Sequence, residues 1–172
     1  MSLIFDIETV GDDFDNLDSA TKDNLTRWIR REAGGNKDKH AALFAEMKEG
    51  LGFSPLTGQI AAIGIFDSKK DQGVVYYQAP LSNDQESREE NFTFKPRLES
   101  EMLKNFWQGA RQYTDFVSFN GRSFDVPFLV TRSAVHKIKP TVDLMSNRYL
   151  SSQKYNARHV DLLDQFSFYG AL

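Results

Sequence analysis

Apolar residues recur along the chain with two different spacings, which divide it into predicted strands and helices. The stretch "LIFDIETV" at 3–10 is a nearly continuous apolar run typical of a buried strand. By contrast, "ESEMLKNFWQGARQY" at 99–113 places its large apolar residues on one helical face. The predicted strands cover 3–9, 59–67, 73–80 and 115–120. The predicted helices lie within 19–35, 39–52, 99–113, 124–136 and 142–150.

The order of these segments predicts an α/β fold with a mixed sheet flanked by helices. A turn at Lys69–Gly73 joins two of the strands as an antiparallel hairpin, and a polar loop follows at 83–92. A helix, a strand and a second helix come next, as in chains that build a mixed sheet. The chain contains no internal repeat and no linker, so a single domain of residues 1–172 is expected.

The composition fits a folded protein and limits the chemistry available to it. Hydrophobic residues make up 40% of the chain and aromatic residues 13%. No apolar run approaches the length of a membrane span, and the first residues lack the features of a signal peptide, so we expect no membrane association and a cytoplasmic location. The chain has no cysteine, so any metal ion must be held by oxygen or imidazole ligands.

The charges are unevenly distributed along the chain. The net charge is −3, which gives no general reason to expect a nucleic-acid partner. Residues 126–160 nevertheless contain six basic residues against one acid, Asp143. Such a stretch is either a solvated surface or a place where phosphate groups bind. The six basic residues are Arg132, Lys137, Lys139, Arg148, Lys154 and Arg158.

Two carboxylates, Asp6 and Glu8, interrupt the first strand. Residues two apart on a strand point to the same side, with Cα atoms about 6–7 Å apart. Buried together without a counter-charge, they would raise each other's pKa and destabilise the fold. A divalent cation would remove that penalty, and carboxylate oxygens suit Mg²⁺ or Mn²⁺. The alternative is that one carboxylate caps a loop while the other reaches solvent.

A second polar constellation, "SFNGRSFDVPFL" at 118–129, follows a short strand and leads into a helix. Asn120 and Gly121 come just after the strand, and Phe124 and Asp125 lie where the helix begins. Taken alone, an acid in the first turn of a helix is ordinary, because it complements the helix dipole. Two acidic groups that each end a strand could instead meet at one sheet edge and share metal ions that act on a phosphodiester.

Together, "FDIET" and "FNGRSFDVPFL" resemble the first two motifs of the DEDD (DnaQ-like) 3′–5′ exonucleases. The resemblance is to the proofreading domain of family B DNA polymerases and to the stand-alone predicted exonucleases related to it. It extends to "PLTGQIAAIGIFD", "ESEMLKNFW" and "HVDLLDQFSFYGA", and so to nearly the whole chain except about 20–50. The resemblance implies a ribonuclease H-like fold and a two-metal release of nucleoside monophosphates from a 3′ end.

The resemblance also implies roles for individual residues. Asp6, Glu8 and Asp125 would be catalytic carboxylates that bind two Mg²⁺ or Mn²⁺ ions. Four residues would contact the substrate, which is the 3′ end of single-stranded or frayed DNA, with RNA as a possibility. These substrate-contacting residues are Ile7, Thr9, Asn120 and Phe124. The protein partners are not indicated by the sequence.

The third motif of the family, which supplies a fourth carboxylate, is not plainly present. "HVDLLD" contains the spacing of one version of that motif, with His159 and Asp164 as the catalytic residues. The segment lies close behind Asp125, so the alternative is that His159 and Asp161 belong to an ordinary segment after the second motif. In that case we expect the fold to lack its C-terminal catalytic helix.

The sequence therefore supports an enzyme hypothesis and a non-enzymatic one. The first is a metal-dependent 3′–5′ exonuclease that shortens DNA ends. The second is a truncated or degenerate exonuclease-like module that binds nucleic acid or metal without cleavage, and the missing third motif supports it. An RNA-directed enzyme of the same superfamily is a third possibility, although no residue is identified that would read a 2′-hydroxyl group.

Overall fold

Strands and helices alternate through residues 2–79 and 85–171, the part of the chain that the computed structural model describes. The strands are β1 (Ser2–Gly11), β2 (Gly58–Asp67), β3 (Gln72–Tyr77), β4 (Ser87–Glu89), β5 (Phe92–Pro96), β6 (Asp115–Ser118) and β7 (Arg158–Asp161). The helices are α1 (Ser19–Ala33), α2 (Lys37–Glu49), α3 (Glu99–Ala110), α4 (Asp125–Val135) and α5 (Leu162–Phe166).

All of these strands join one mixed sheet in the order β4-β5-β3-β2-β1-β6-β7. The β2–β3 pair is antiparallel, as the hairpin prediction requires, whereas β1 pairs in parallel with β6, and β6 with β7. The prediction of an α/β fold with a mixed sheet flanked by helices is therefore confirmed. In this register Ile4 is the partner of Val117, so the segment that follows β6 leaves the sheet beside the middle of β1, where Asp6 lies.

Contacts between residues divide the chain into two compact units. The larger unit contains the described residues of 1–8 and 60–172, and the smaller one contains 9–59. The expectation of a single domain for 1–172 stays a prediction. Among the described residues, no helix has both the length and the apolar character needed to cross a lipid bilayer.

The core of the larger unit follows from the alternation of residues along β1. Leu3, Phe5 and Ile7 are buried, while the intervening side chains of this strand are exposed. The ring of Phe5 meets Phe106 of α3 edge-on, with centroids 5.5 Å apart. Burial of each such side chain contributes about 1.5–3 kcal/mol to folding. The remaining core members are Ile60, Ile63, Met102, Leu103, Trp107, Ala110, Phe116, Val126, Phe128, Leu129 and Leu144.

The smaller unit is built around α1 and α2, both of which the sequence predicted. Helix α1 ends at Gly34, which adopts the left-handed conformation that glycine reaches without strain. The ring of Phe14 packs edge-on against Phe44 of α2 at 5.1 Å, and the ammonium group of Lys48 lies over both rings. This unit therefore has a small aromatic cluster of its own.

Three segments differ from the predictions. The predicted helix at 142–150 is wrong, because Asp143 and Asn147 accept hydrogen bonds from the backbone two residues onward and form turns instead. The predicted polar loop at 83–92 contains β4 and leads into β5, while residues 83 and 84 lie outside the described residues. The strand β7 was not predicted either.

Candidate active site

Asp6 and Glu8 project from the same face of β1, as their spacing predicts. Both side chains are exposed, whereas the neighbouring Phe5 and Ile7 point into the core. Local strand geometry therefore explains how two carboxylates can interrupt an apolar strand without entering the core. The hypothesis that one of them caps a loop has no hydrogen bond to support it among the described contacts of β1.

Asp125 lies at the first position of α4 and is buried, with only 2% of its surface exposed. Its Oδ1 accepts a hydrogen bond of 3.0 Å from the backbone N–H of Ile7 on β1. Its carboxyl group also interacts directly with that of Asp6. The structure therefore brings Asp125 of the segment at 118–129 into contact with Asp6 and Ile7 of β1.

Burial and the negative charge of Asp6 raise the pKa of Asp125 to about 7, although the Ile7 N–H opposes that shift. The charged group next to Asp125 thus has the same sign as its own carboxylate. As a result, the buried carboxyl group is partly protonated near neutral pH. A bound cation would favour the charged form of both groups and relieve their repulsion. The donor chemistry of the pair fits a hard divalent ion.

The number of ligands is smaller than the predicted chemistry requires. Within residues 2–79 and 85–171, no three histidine or acidic side chains come together in a group that could hold a metal ion. Asp6 and Asp125 interact, whereas the structure records no contact that brings Glu8 to them. The observed cluster is a carboxyl pair with a neighbouring exposed acid.

The predicted substrate-contacting residues have other roles in the structure as well. The N–H of Ile7 is already bound by Asp125, and the hydroxyl of Thr9 donates a 2.7 Å hydrogen bond to the Gly52 carbonyl. Phe124 packs against Phe128 with ring centroids 5.6 Å apart. These contacts give three of the four predicted residues a structural function.

The segment between β6 and α4 turns tightly next to Asp125. Asn120 adopts a left-handed conformation with φ of 59°, which asparagine tolerates better than most residues. A Cβ atom on Gly121 would lie 2.1 Å from Oγ of Ser118, so only glycine fits at this position. The Asn-Gly pair of the motif is therefore explained by backbone conformation and close packing. Phe119, by contrast, is 58% exposed at the same turn.

His159 lies in the interior of the larger unit with 1% of its surface exposed. Its Nε2 is 2.8 Å from the Ser118 hydroxyl, and its Nδ1 is 3.1 Å from the Leu144 carbonyl. Since the carbonyl can only accept, Nδ1 carries the proton and Nε2 accepts from Ser118. Burial lowers the pKa of His159 to about 4, and the charge of Arg122 adds to that shift. The imidazole is therefore neutral at physiological pH.

Asp164 is held by Arg148, whose guanidinium Nε lies 3.0 Å from both carboxylate oxygens. This interaction keeps the pKa of Asp164 below its usual value. Both members of the compressed third motif thus have their own partners, none of which is Asp6 or Asp125. The contacts favour the alternative hypothesis, in which the segment belongs to the architecture of the fold.

Sequence reasoning did not identify Asp161 as a residue of the site. Its buried carboxylate accepts hydrogen bonds from the backbone of Asn120, Arg122 and Leu163. The local signal was its position before a short helix, where an acidic residue commonly caps the first turn. The contacts to the other strand depend on the pairing of β6 with β7, which the sequence pattern did not reveal.

The basic stretch at 126–160 is partly neutralised by ion pairs. Arg132 pairs with Glu99, Arg148 pairs with Asp164, and Arg158 pairs with Asp115. Half of the six basic residues thus have acidic partners elsewhere in the chain. The lysines in the stretch, Lys137, Lys139 and Lys154, are exposed. These ion pairs reduce the positive charge of the stretch that is available for phosphate binding. The three lysines are therefore the candidates for binding phosphate groups.

Comparison with known proteins identifies one family. Residues 57–172 match the family described as a predicted 3′–5′ exonuclease related to the exonuclease domain of PolB. The first strand, with Asp6 and Glu8, lies outside the matched residues. No curated protein matches the chain.

Among solved structures, the family B DNA polymerase from the hyperthermophilic archaeon Pyrobaculum calidifontis is similar, with 14% sequence identity and a TM-score of 0.49. That similarity covers 95% of this chain and 15% of the polymerase, so the chain spans a small part of that protein's length.

Proposed function

The chain belongs to the family of predicted 3′–5′ exonucleases related to the exonuclease domain of PolB, and we propose that it removes nucleotides from the 3′ end of a DNA strand. The observation that carries the proposal is the carboxyl pair formed by Asp6 and Asp125. These residues are 119 positions apart, and the fold brings them together where β6 ends beside the middle of β1.

A pair of this kind is costly unless it binds a cation. The burial of Asp125 and the nearby charge of Asp6 disfavour the doubly ionised state, whereas Glu99 and Asp164 each lie next to an arginine. We therefore assign Asp6, Glu8 and Asp125 as the residues that would hold Mg²⁺ or Mn²⁺. When bound, such ions polarise a phosphodiester and stabilise the charge that develops during its hydrolysis.

The protein's own groups would position the substrate and the carboxylates. The Ile7 N–H fixes Oδ1 of Asp125, so that Oδ2 is the oxygen directed away from this bond. The exposed ring of Phe119 offers a face on which a base could stack, and the Asn120 side chain follows it at the same turn. Both features suit a single-stranded or frayed 3′ end, and RNA remains a second substrate to test.

Digestion of a 5′-labelled, single-stranded oligonucleotide in the presence of Mn²⁺ tests the proposal. We expect a ladder of products that shorten by one nucleotide, and we expect Asp6→Ala to remove it. Glu46→Ala, which changes an exposed acid on α2, is the control and should give the wild-type ladder. A labelled mononucleotide as the first product would show the opposite polarity, and uncut substrate with wild-type protein would contradict the proposal.

A module that binds nucleic acid or metal without cutting is the second candidate. Its support is that the described residues contain no group of three potential metal ligands and that Asp164 is occupied by Arg148. On this hypothesis the wild-type chain retains the labelled oligonucleotide in a gel-shift measurement but leaves it uncut with Mg²⁺ and with Mn²⁺. Cleavage that depends on Asp6 would exclude it.

A further inference from the structure

The strand β7 supplies none of the proposed metal ligands, yet its side chains hold the segment that carries one of them. His159 and Asp161 are two residues apart, so they lie on the same face of β7. In the parallel pairing with β6, Asp161 is the register partner of Ser118, the last residue of that strand. The turn that leads to Asp125 begins directly after this position.

The side chain of Asp161 binds two backbone amides of this turn. Oδ1 accepts a hydrogen bond of 2.9 Å from the N–H of Asn120, and Oδ2 accepts one of 2.9 Å from the N–H of Arg122. Only 3% of the surface of Asp161 is exposed, so these hydrogen bonds are largely shielded from water. A buried carboxylate that spans two amides fixes both the position and the orientation of the turn.

The position of this turn then determines where helix α4 begins with Asp125. The carbonyl of Asn120 accepts from the N–H of Phe124, and the carbonyl of Gly121 accepts from the N–H of Val126 at 2.8 Å. Asp125 thus lies between two residues that are bonded to the segment held by Asp161. Ser118, which packs against Gly121, is itself held by His159.

We propose that Asp161 is a positioning residue for the carboxylate of Asp125, acting through the turn at 119–124. The inference rests on the proposed function only for its effect on catalysis, since the geometry it describes is independent of any activity. Without this carboxylate the turn would lose two hydrogen bonds, and Asp125 would no longer be held against Ile7 and Asp6.

The amide proton of Ile7 reports the position of Asp125, because it donates to Oδ1 of that residue at 3.0 Å. The test compares amide resonances of the full chain by nuclear magnetic resonance for wild type, Asp161→Asn and Asp67→Asn. Asp67 is the matched control, since it is a buried acid that accepts from the amides of Lys69 and Lys70 at the β2–β3 turn.

We expect Asp161→Asn to shift the Ile7 amide resonance upfield, whereas Asp67→Asn leaves it in place. We also expect the kcat of oligonucleotide digestion to fall about tenfold or more in Asp161→Asn, with a smaller change in KM. An Ile7 resonance that is unchanged in Asp161→Asn would overturn the inference. The resonance decides the question even if the wild-type chain proves inactive, which would contradict the proposed function alone.

Asp161 also caps α5 by accepting from Leu163, and Asp161→Asn sets an NH2 group against the N–H of Arg122, so a second variant without this clash of donors guards against a loss of folding. The second variant, Asp161→Ser, retains a hydroxyl that can cap this helix but is too short to reach both amides of the turn. It should reproduce the Ile7 shift while keeping α5. A wild-type Ile7 resonance in a folded Asp161→Ser protein would equally overturn the inference.

Discussion

Two buried carboxylates in the larger unit occupy equivalent places and have opposite surroundings. Glu99 is the first residue of α3 and accepts from the N–H of Ile60 on β2, just as Asp125 is the first residue of α4 and accepts from Ile7 on β1. Glu99 also binds the cationic Arg132 and lies 2.6 Å from the imidazole of His136. Asp125 has the carboxylate of Asp6 instead.

The pKa values follow these surroundings. Burial would raise the pKa of Glu99, but the hydrogen bonds from Arg132 and His136 outweigh it and the pKa is lowered. The pKa of Asp125 is raised, because burial and Asp6 act in the same direction. The same backbone arrangement thus serves two purposes. Glu99 meets basic groups and joins α3 to α4, whereas Asp125 meets another acid, which is the basis on which we propose a cation there.

The largest effect is expected from Asp125→Asn. On the proposed mechanism the substitution removes a metal ligand and with it several kcal/mol of transition-state stabilisation, so the rate of oligonucleotide digestion should fall at least about 1,000-fold. The free energy of unfolding should not fall, because the amide oxygen can still accept from Ile7 and the repulsion with Asp6 is removed. Single-turnover digestion and urea denaturation measure the two quantities. If Asp125→Asn were much less stable than wild type but equally active per folded molecule, Asp125 would have the structural role that Glu99 has.

Glu99→Gln should show the opposite behaviour. The substitution leaves the largely buried guanidinium of Arg132 without its carboxylate, so the free energy of unfolding should fall by about 3 kcal/mol. The digestion rate per folded molecule should stay close to that of wild type, since Glu99 lies in a separate carboxylate site. Urea denaturation combined with single-turnover kinetics checks this, and a rate loss as large as that of Asp125→Asn would show that the two sites are not functionally distinct.

His159 should make stability depend on pH. Its pKa is about 4 in the folded chain against 6.5 for an ordinary histidine, so the unfolded chain binds more protons between these values. The stabilisation is fully present above pH 6.5 and is lost progressively as the pH falls towards 4, by about 3 kcal/mol in total.

Urea denaturation across this pH range, with wild type and His159→Gln, measures that contribution. The glutamine variant can retain an acceptor for Ser118 and a donor for Leu144 but has no proton to gain, so its stability should decline less. Equal slopes for the two proteins would show that His159 does not contribute the protonation difference.

The smallest effect is expected from Asp164→Asn. Because Asp164 binds Arg148 rather than the carboxyl pair, we expect the digestion rate to remain within about threefold of wild type. Arg148→Ala removes the same ion pair from the other side and should behave alike in the same assay. A rate reduced as strongly as in Asp125→Asn would restore His159 and Asp164 as a compressed third motif.

The sequence revealed those parts of the site that depend on local geometry. The period of two along β1 placed Asp6 and Glu8 on one face, and the Asn-Gly turn before a helix drew attention to Asp125. The contact between Asp6 and Asp125 depends on the pairing of β1 with β6, which was inferred from a family resemblance and the expected meeting of strand ends.

Other features could not be read from local patterns. The hydrogen bonds from Asp161 to Asn120 and Arg122 span the pairing of β6 with β7, and β7 was not predicted as a strand. The edge strand β4 lies in a polar segment and is exposed throughout, because one side of an edge strand faces solvent. The predicted helix at 142–150 failed because short side chains there bind the backbone and form turns.

We propose that the pair formed by Asp6 and Asp125 is a cation site, whereas Glu99, which is also buried, is not one. Calorimetric titration of the full chain with Mn²⁺ tests it most directly, using wild type, Asp125→Asn and Glu99→Gln. We predict that wild type and Glu99→Gln bind Mn²⁺ with the same affinity and that Asp125→Asn weakens binding by about tenfold or more. Equal binding by wild type and Asp125→Asn, or no binding by wild type, would contradict the claim.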